Sequence, residues 1–295
     1  MDEAKGARVI AFVLRVIAAS ITLVLAGLGG AVTERSGVVD LAIEGKLLFG
    51  AFAAAVVGHA TGSLAAAIAA GVLAGMLVAA VQVGCAVGLG ADQVIVGIGL
   101  NLIALAGTRF LMQVIYDTGT NTPPCPQLSD NVLANPLAWI AVTAAIAVPL
   151  ALHRTRWGLR LRAAGDRPDA LRAVGVSPLR TRLYAGLVGG ALSGAGGAKL
   201  SLAVAGFSAD MAGGRGYIAL AMVILAGWRP AVAALACLGL AIADALEIHI
   251  EITTAIGRHI PTELAHLVPY VLTLVVLVVW SSKARQPPAA LGKPE

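Results

Sequence analysis

Long apolar runs broken by short polar interruptions organise this sequence. The runs fall at about 9–32, 38–59, 64–89, 94–116, 137–152, 183–205, 217–228, 231–249 and 263–281. Most approach the roughly 20 apolar residues that a helix needs to cross a hydrocarbon core. They predict an all-α polytopic membrane protein of about nine transmembrane helices, within a range of eight to ten. Two runs are short, one around Trp139 and one around Ile224, and these are expected to be tilted or broken. No polar stretch is long enough to bury a core of its own, so residues 1–295 read as one transmembrane domain. Small residues recur at helical spacing: Gly186, Gly190 and Gly194 lie on one face, and Gly71 and Gly75 form a shorter pair. Both patterns read as faces where helices approach closely.

The longest polar interruption is basic. Residues 153–182 carry Arg154, Arg156, Arg160, Arg162, Arg167, Arg172, Arg180 and Arg182 against Asp166 and Asp169. Lys and Arg are retained in cytoplasmic loops, so this loop is assigned to the cytoplasm. The loop from Asp117 to Pro136 has no Lys or Arg and reads as extracytoplasmic. Counting outward from these two places the N-terminus outside and the turn Trp228-Arg229-Pro230 inside. Lys5 and Arg8 fit that less well, and a re-entrant segment near 37–60 would reverse the N-terminal side. The N-terminal run does not read as a cleaved signal, since no small-residue cleavage site ends it.

Composition agrees with the pattern. The chain is 58% hydrophobic and 13% charged, with 35 glycines, and its mean hydropathy is +0.87. Soluble domains carry about a quarter charged residues. The net charge of +5 is explained by orientation, because eight of the 21 basic residues share one loop; nucleic acid is not implied. Cys85, Cys125 and Cys237 are scattered, so neither a metal site nor a disulfide framework is indicated. The Gly-x-x-x-x-Gly-Lys phosphate loop, the His-Glu-x-x-His zinc helix and the Gly-x-Ser-x-Gly elbow are all missing. The chain is therefore not expected to be an enzyme, to hydrolyse ATP itself, or to hold a cofactor.

Polar groups inside apolar runs are the sharper signal, because ionisable side chains at membrane depth cost about 2.5–3.5 kcal/mol or more. Asp40, Glu44 and Lys46 fall in one segment bracketed by Gly37 and Gly45. Asp40 and Glu44 would share a face if that segment were helical, and the glycines suit a broken helix lining a pathway. Asn101 either bonds a neighbouring helix or meets a polar solute. Lys199 either snorkels or faces the path. Asp40, Glu44, Asn101 and Lys199 are the candidate substrate pathway.

Three segments and the tail resemble a known family. Glu34 to Gly45, reading E-R-S-G-V-V-D-L-A-I-E-G, is similar to the signature of ABC-importer permeases for nucleosides and simple sugars, within the wider group of ribose and branched-chain amino acid permeases. Gly158 to Val176 resembles that family's cytoplasmic coupling region. Gly213 to Ala221, G-G-R-G-Y-I-A-L-A, and Pro288 to Pro294 match in the same order. The resemblance implies a multi-pass permease of a bacterial-type inner membrane. It implies an ATP-binding subunit, a second permease subunit and an extracytoplasmic substrate-binding protein as partners. The ATPase coupling surface then falls on Asp166, Arg167, Asp169, Leu171, Arg172 and Val174, with Leu171 and Val174 as an apolar docking face. Three positions depart from the family pattern: Asp40 for the usual Asn, Lys46 for an apolar residue and Lys199 for Tyr. An Asp40–Lys46 or Asp40–Lys199 pair would neutralise itself; otherwise the altered site favours a more polar or charged cargo. The alternative reading is an ion- or proton-coupled secondary transporter that relays protons through its carboxylates and needs no ATPase.

Overall fold

The computed structural model describes residues 2–129, 131–254 and 286–293, with backbone alone at 2–13, 15 and 243–254. The expected run at 263–281 lies outside the described residues. The other eight runs each appear as a helix. They are α1 (Asp2–Arg35), α2 (Ile43–Thr61), α3 (Leu64–Val83), α4 (Gln93–Tyr116) and α5 (Pro136–Arg154), then α8 (Pro178–Ala203), α9 (Arg215–Leu225) and α10 (Pro230–Thr254). Two short helices, α6 (Arg156–Asp166) and α7 (Pro168–Ala173), form the Arg-rich loop. No strand occurs among the described residues; the nearest approach is an isolated antiparallel bridge between Asn121 and Ser208.

Local chemistry sets the helix starts. Side-chain oxygens of Ser63, Asp92, Asn135, Thr155 and Ser177 accept from the free amides that open α3, α4, α5, α6 and α8. Each satisfies a donor that has no partner within the helix. Pro136 and Pro178 follow two of these caps, where a missing N–H costs nothing. A single turn of π-helix, Gly84–Gly88, continues α3.

Among the described residues five helices are long and apolar enough to cross a bilayer, ending in chain order with Pro136–Arg154. The most central helix, α8, is not one of them. Glycine, Lys199 and its basic first turns keep it below that apolarity, yet it packs against α1, α2 and α3. Its glycines make this possible. A methyl group on Gly190 or Gly194 would overlap the carbonyl oxygens of Gly75 and Gly71 on α3. On the α2 side, a methyl on Gly50 would lie 2.6 Å from the Gly194 carbonyl oxygen. On the α1 side, one on Gly29 would lie 2.5 Å from that of Gly189. The glycine faces read from the sequence therefore meet each other, backbone against backbone.

At the opposite end from the Arg-rich loop, two irregular segments close the bundle. The amides of Thr122, Cys125 and Leu128 donate to the carbonyls of Phe207, Ala205 and Leu202 at 2.8–2.9 Å. Phe207 is buried and meets Phe52 edge-on, ring centroids 5.4 Å apart. Burial pushes the Cys125 thiol above its ordinary range.

Replacing Gly194 with Leu forces a side chain between backbones that touch. Overpacking a formed core costs about 1–3 kcal/mol, and backbone contact cannot repack around the intruder. Gly194→Leu should therefore abolish the monodisperse peak of the purified protein. Gly99→Leu should leave it intact, since nothing lies within 4 Å of a methyl there. Fluorescence-detected size-exclusion chromatography in detergent reads both.

Candidate functional site: a helix break held by buried polar side chains

The chain between α1 and α2 is neither helix nor simple turn. Ser36 ends α1, its hydroxyl donating to the Thr33 carbonyl at 2.6 Å, and Gly37 turns the backbone with φ of 96°. That positive φ is what the glycine is for. Exposed peptide groups cannot be left unpaired away from water, and side chains from four helices supply the partners. The Val39 amide donates to Gln93 Oε1 at 2.8 Å and its carbonyl accepts from Gln82 Nε2 at 2.9 Å. Glu34 Oε1 accepts from the Asp40 amide at 3.2 Å, while its Oε2 accepts from Trp228 Nε1 at 2.6 Å. Arg182 of α8, almost wholly buried, donates through Nε to the Ser36 carbonyl at 3.2 Å.

Asp40 and Lys46 form an ion pair with Nζ and Oδ1 2.5 Å apart, both side chains inaccessible to solvent. Of the two pairings considered for Asp40, this is the one formed. Asp40 precedes α2 and Glu44 lies in its first turn, so the expected shared helical face does not exist. Glu44 turns the other way. Its Oε1 accepts from the Gly214 amide at 2.7 Å and its Oε2 from the Gly216 amide at 2.6 Å, at the N-terminus of α9. At 11 residues α9 is about 16 Å long, half a membrane crossing. The carboxylate thus sits between the positive ends of α2 and α9, where the helix dipoles favour an anion.

Asn101 is likewise committed. Its Oδ1 accepts from the Gly45 amide at 2.8 Å; its Nδ2 donates to the Leu41 carbonyl at 2.8 Å and to the Tyr217 hydroxyl at 3.0 Å. It therefore makes the interhelical bonds, joining the break to α4 and α9. The structure brings Asp40, Glu44 and Asn101 together. It does not bring Lys199 to them. Lys199 is half-buried on the last turns of α8 and within electrostatic reach of Arg215, and it forms no ion pair among the described residues. The sequence pattern does not single out Glu34, Gln82, Gln93, Arg182 and Trp228 as parts of this site, although each bonds within it. A lone Gln near the end of an apolar run was the available signal.

On the Arg-rich face, Asp166, Arg167, Asp169, Arg172 and Val174 are exposed, and Arg172 Nη1 bonds Asp169 Oδ1 at 3.0 Å. Leu171 is not exposed: at 4% accessibility it anchors α7 to the bundle, whereas Val174 is 71% accessible. The apolar docking face expected of the two together is therefore corrected to Val174 alone. Hydrogen bonds to backbone carbonyls tie this face to the break. Arg182 Nη2 donates to the Ala164 carbonyl of α6 at 3.4 Å. The Ala290 amide donates to the Gly165 carbonyl at 2.8 Å and the Gly292 amide to the Gly37 carbonyl at 3.3 Å.

The buried pair gives a sharp expectation. Removing one partner strands a charge in the interior, at a cost of about 3–5 kcal/mol, while replacing both with neutral groups is close to neutral. Lys46→Met should lower the melting temperature of the purified protein strongly, and the double variant Asp40→Asn/Lys46→Met should recover most of it. Thermal unfolding followed by tryptophan fluorescence measures both; additive losses would contradict the pairing.

Comparison with known proteins accords with this geometry. Residues 12–277 match the family model described as branched-chain amino acid transport system / permease component. The chain is 31% identical to the nucleoside ABC transporter permease protein NupC of Lactococcus lactis subsp. cremoris, over 92% of each chain. It is 30% identical to the guanosine ABC transporter permease protein NupQ of Bacillus subtilis, over 90% of this chain and 91% of that one. It is 32% identical to the putative glucose ABC transporter permease protein TsgC13 of Haloferax volcanii, over 72% and 70%. No solved structure matches the chain. With nine-tenths of its length aligned to such permeases and its helices arranged around a broken, polar-lined segment, the chain belongs to the branched-chain amino acid transport system permease family.

Proposed function

We propose that this permease component works as one subunit of an ATP-driven importer in a bacterial-type inner membrane and carries a nucleoside or a related small neutral solute such as a simple sugar. ATP hydrolysis falls to a separate ATP-binding subunit, a second permease subunit completes the channel, and an extracytoplasmic binding protein delivers the cargo. The observation that carries the choice of cargo is the Glu44 carboxylate on the Gly214 and Gly216 amides. A half-helix N-terminus in a transporter is a natural seat for a solute's carboxylate. Here the protein fills that seat with its own anion, which disfavours amino acids and leaves neutral solutes. The relatives named for nucleosides support the same class.

Within this reading, Asp40, Glu44 and Asn101 hold the pathway's break in shape. Lys199 stands apart from that cluster and forms no ion pair among the described residues; in this reading it donates to oxygen-rich cargo. The carboxylates that proton coupling would use are already engaged, Asp40 by Lys46 and Glu44 by two amides, so that alternative gains no support here. The exposed set Asp166, Arg167, Asp169, Arg172 and Val174 forms the ATPase coupling surface, with Leu171 as the anchor beneath it.

Uptake of radiolabelled guanosine into proteoliposomes holding the assembled importer tests the cargo. Unlabelled nucleosides should compete and leucine should not; competition by leucine alone, or uptake without ATP, would refute the assignment. In the same assay Lys199→Met should raise KM about tenfold, or 1.4 kcal/mol, with kcat little changed. The coupling surface makes a separate prediction. Val174→Asp should weaken recovery of the ATP-binding subunit in a pull-down without lowering the melting temperature, whereas Leu171→Asp should lower the melting temperature itself.

A further inference from the structure

Where α1, α6 and the α9–α10 turn converge, on the Arg-rich side, a cavity of about 230 Å³ opens among Arg35, His153, Arg162, Trp228, Arg229 and Gln286. We propose that it binds a phosphate-bearing anion, either a phospholipid headgroup or free phosphate. Three guanidinium groups from three elements distant in sequence converge here, and Arg35 lies within electrostatic reach of both Arg162 and Arg229. Bringing like charges together is unfavourable unless an anion joins them. Asp166 attracts Arg35 from the Arg-rich loop, but it is exposed and forms no ion pair with any of the three. The two ion pairs among the described residues lie elsewhere, at Asp40–Lys46 and Asp169–Arg172.

A second observation points the same way. Arg162 Nε is buried and has no hydrogen-bond partner among the described residues. A buried donor left unmade is costly, and an anion oxygen in the cavity would satisfy it. The guanidinium fork matches phosphate geometry. The walls are prepared rather than incidental: the Trp228 ring is fixed by its bond to Glu34 at 2.6 Å. Leu152 and Pro230 give the lining an apolar side. A basic recess between helices on the cytoplasmic side is also where anionic lipid headgroups are held.

The test uses the full-length chain purified in detergent. Native mass spectrometry is run with phosphatidylglycerol against phosphatidylcholine, and calorimetry with inorganic phosphate. Selective retention of phosphatidylglycerol supports the site and assigns it to a lipid headgroup. Phosphate binding without preference between the lipids supports it and assigns it to a free anion. In either case Arg162→Gln/Arg229→Gln should weaken binding roughly tenfold or more, since each loses a charge-assisted bond. Arg180→Gln, which removes the same charge from the same face outside the cavity, should change nothing. Arg229→Gln alone, at an exposed position, keeps the test decisive should the double variant unfold. Equal binding by wild type and variants overturns the proposal. So does loss of the ATP-binding subunit from the variants when no anion binds the wild type, which would make the recess a protein-docking surface.

Discussion

Lipid gives helices no hydrophobic reason to associate, so what holds this bundle together must be contact at closer range than side chains allow. The contact is backbone to backbone, along α8. On one side Gly190 and Gly194 lie against Gly75 and Gly71; on others Gly189 meets Gly29 and Gly194 meets Gly50. Four helices are thereby locked around a single axis. Dispersion forces are individually tiny and fall steeply with a gap of even an ångström, so such a seam is strong only while it stays free of side chains. The rest of the architecture hangs on this block: α1 and α2 are placed by it, and the irregular chain joining them is placed in turn.

That irregular chain is the second constraint. Once α1 and α2 are fixed against α8, the stretch between them must span the gap, and its middle, residues 38–41, takes its bonds from side chains. Gln93 and Gln82 take the amide and the carbonyl of Val39, Asn101 takes the Leu41 carbonyl and the Gly45 amide just beyond, and Glu34 takes the Asp40 amide. The charged pair of Asp40 and Lys46 closes on itself. A broken segment satisfied in this way has a defined shape, and through Arg182, Ala290 and Gly292 that shape is mechanically joined to α6. Movement of the Arg-rich face has a short bonded route to the break.

Much of this was legible in the sequence. Apolar run length located eight helices, because the bilayer enforces both length and backbone bonding, though some of their ends lie five to seven residues from the run's. Glycine spacing gave the seam, since only small residues allow that approach. The break was legible from Gly37 and Gly45 around two acids. Partner choice was not. Helical periodicity put Asp40 and Glu44 on one face, yet the helix starts only at Ile43, so the two acids diverge to Lys46 and to α9. Leu171 and Val174 look equivalent in the sequence, but Gly175, with φ of 73°, ends α7 between tertiary environments that bury one and expose the other. Pairings between residues far apart in the chain, such as Glu34 with Trp228, leave no local trace at all.

The modest apolarity of α8 bears on how the protein is made. A segment carrying Lys199 and so much glycine has little tendency to partition into lipid by itself, unlike α3 or α4. Its partners α1, α2 and α3 are synthesised earlier, and their small-residue faces are already present when α8 leaves the ribosome. Insertion of α8 is then a docking event rather than a partitioning one, with helix–helix affinity substituting for hydrophobicity. The seam that stabilises the finished protein would be needed first during biogenesis, and faults in it would surface as failed membrane integration before they surfaced as failed transport.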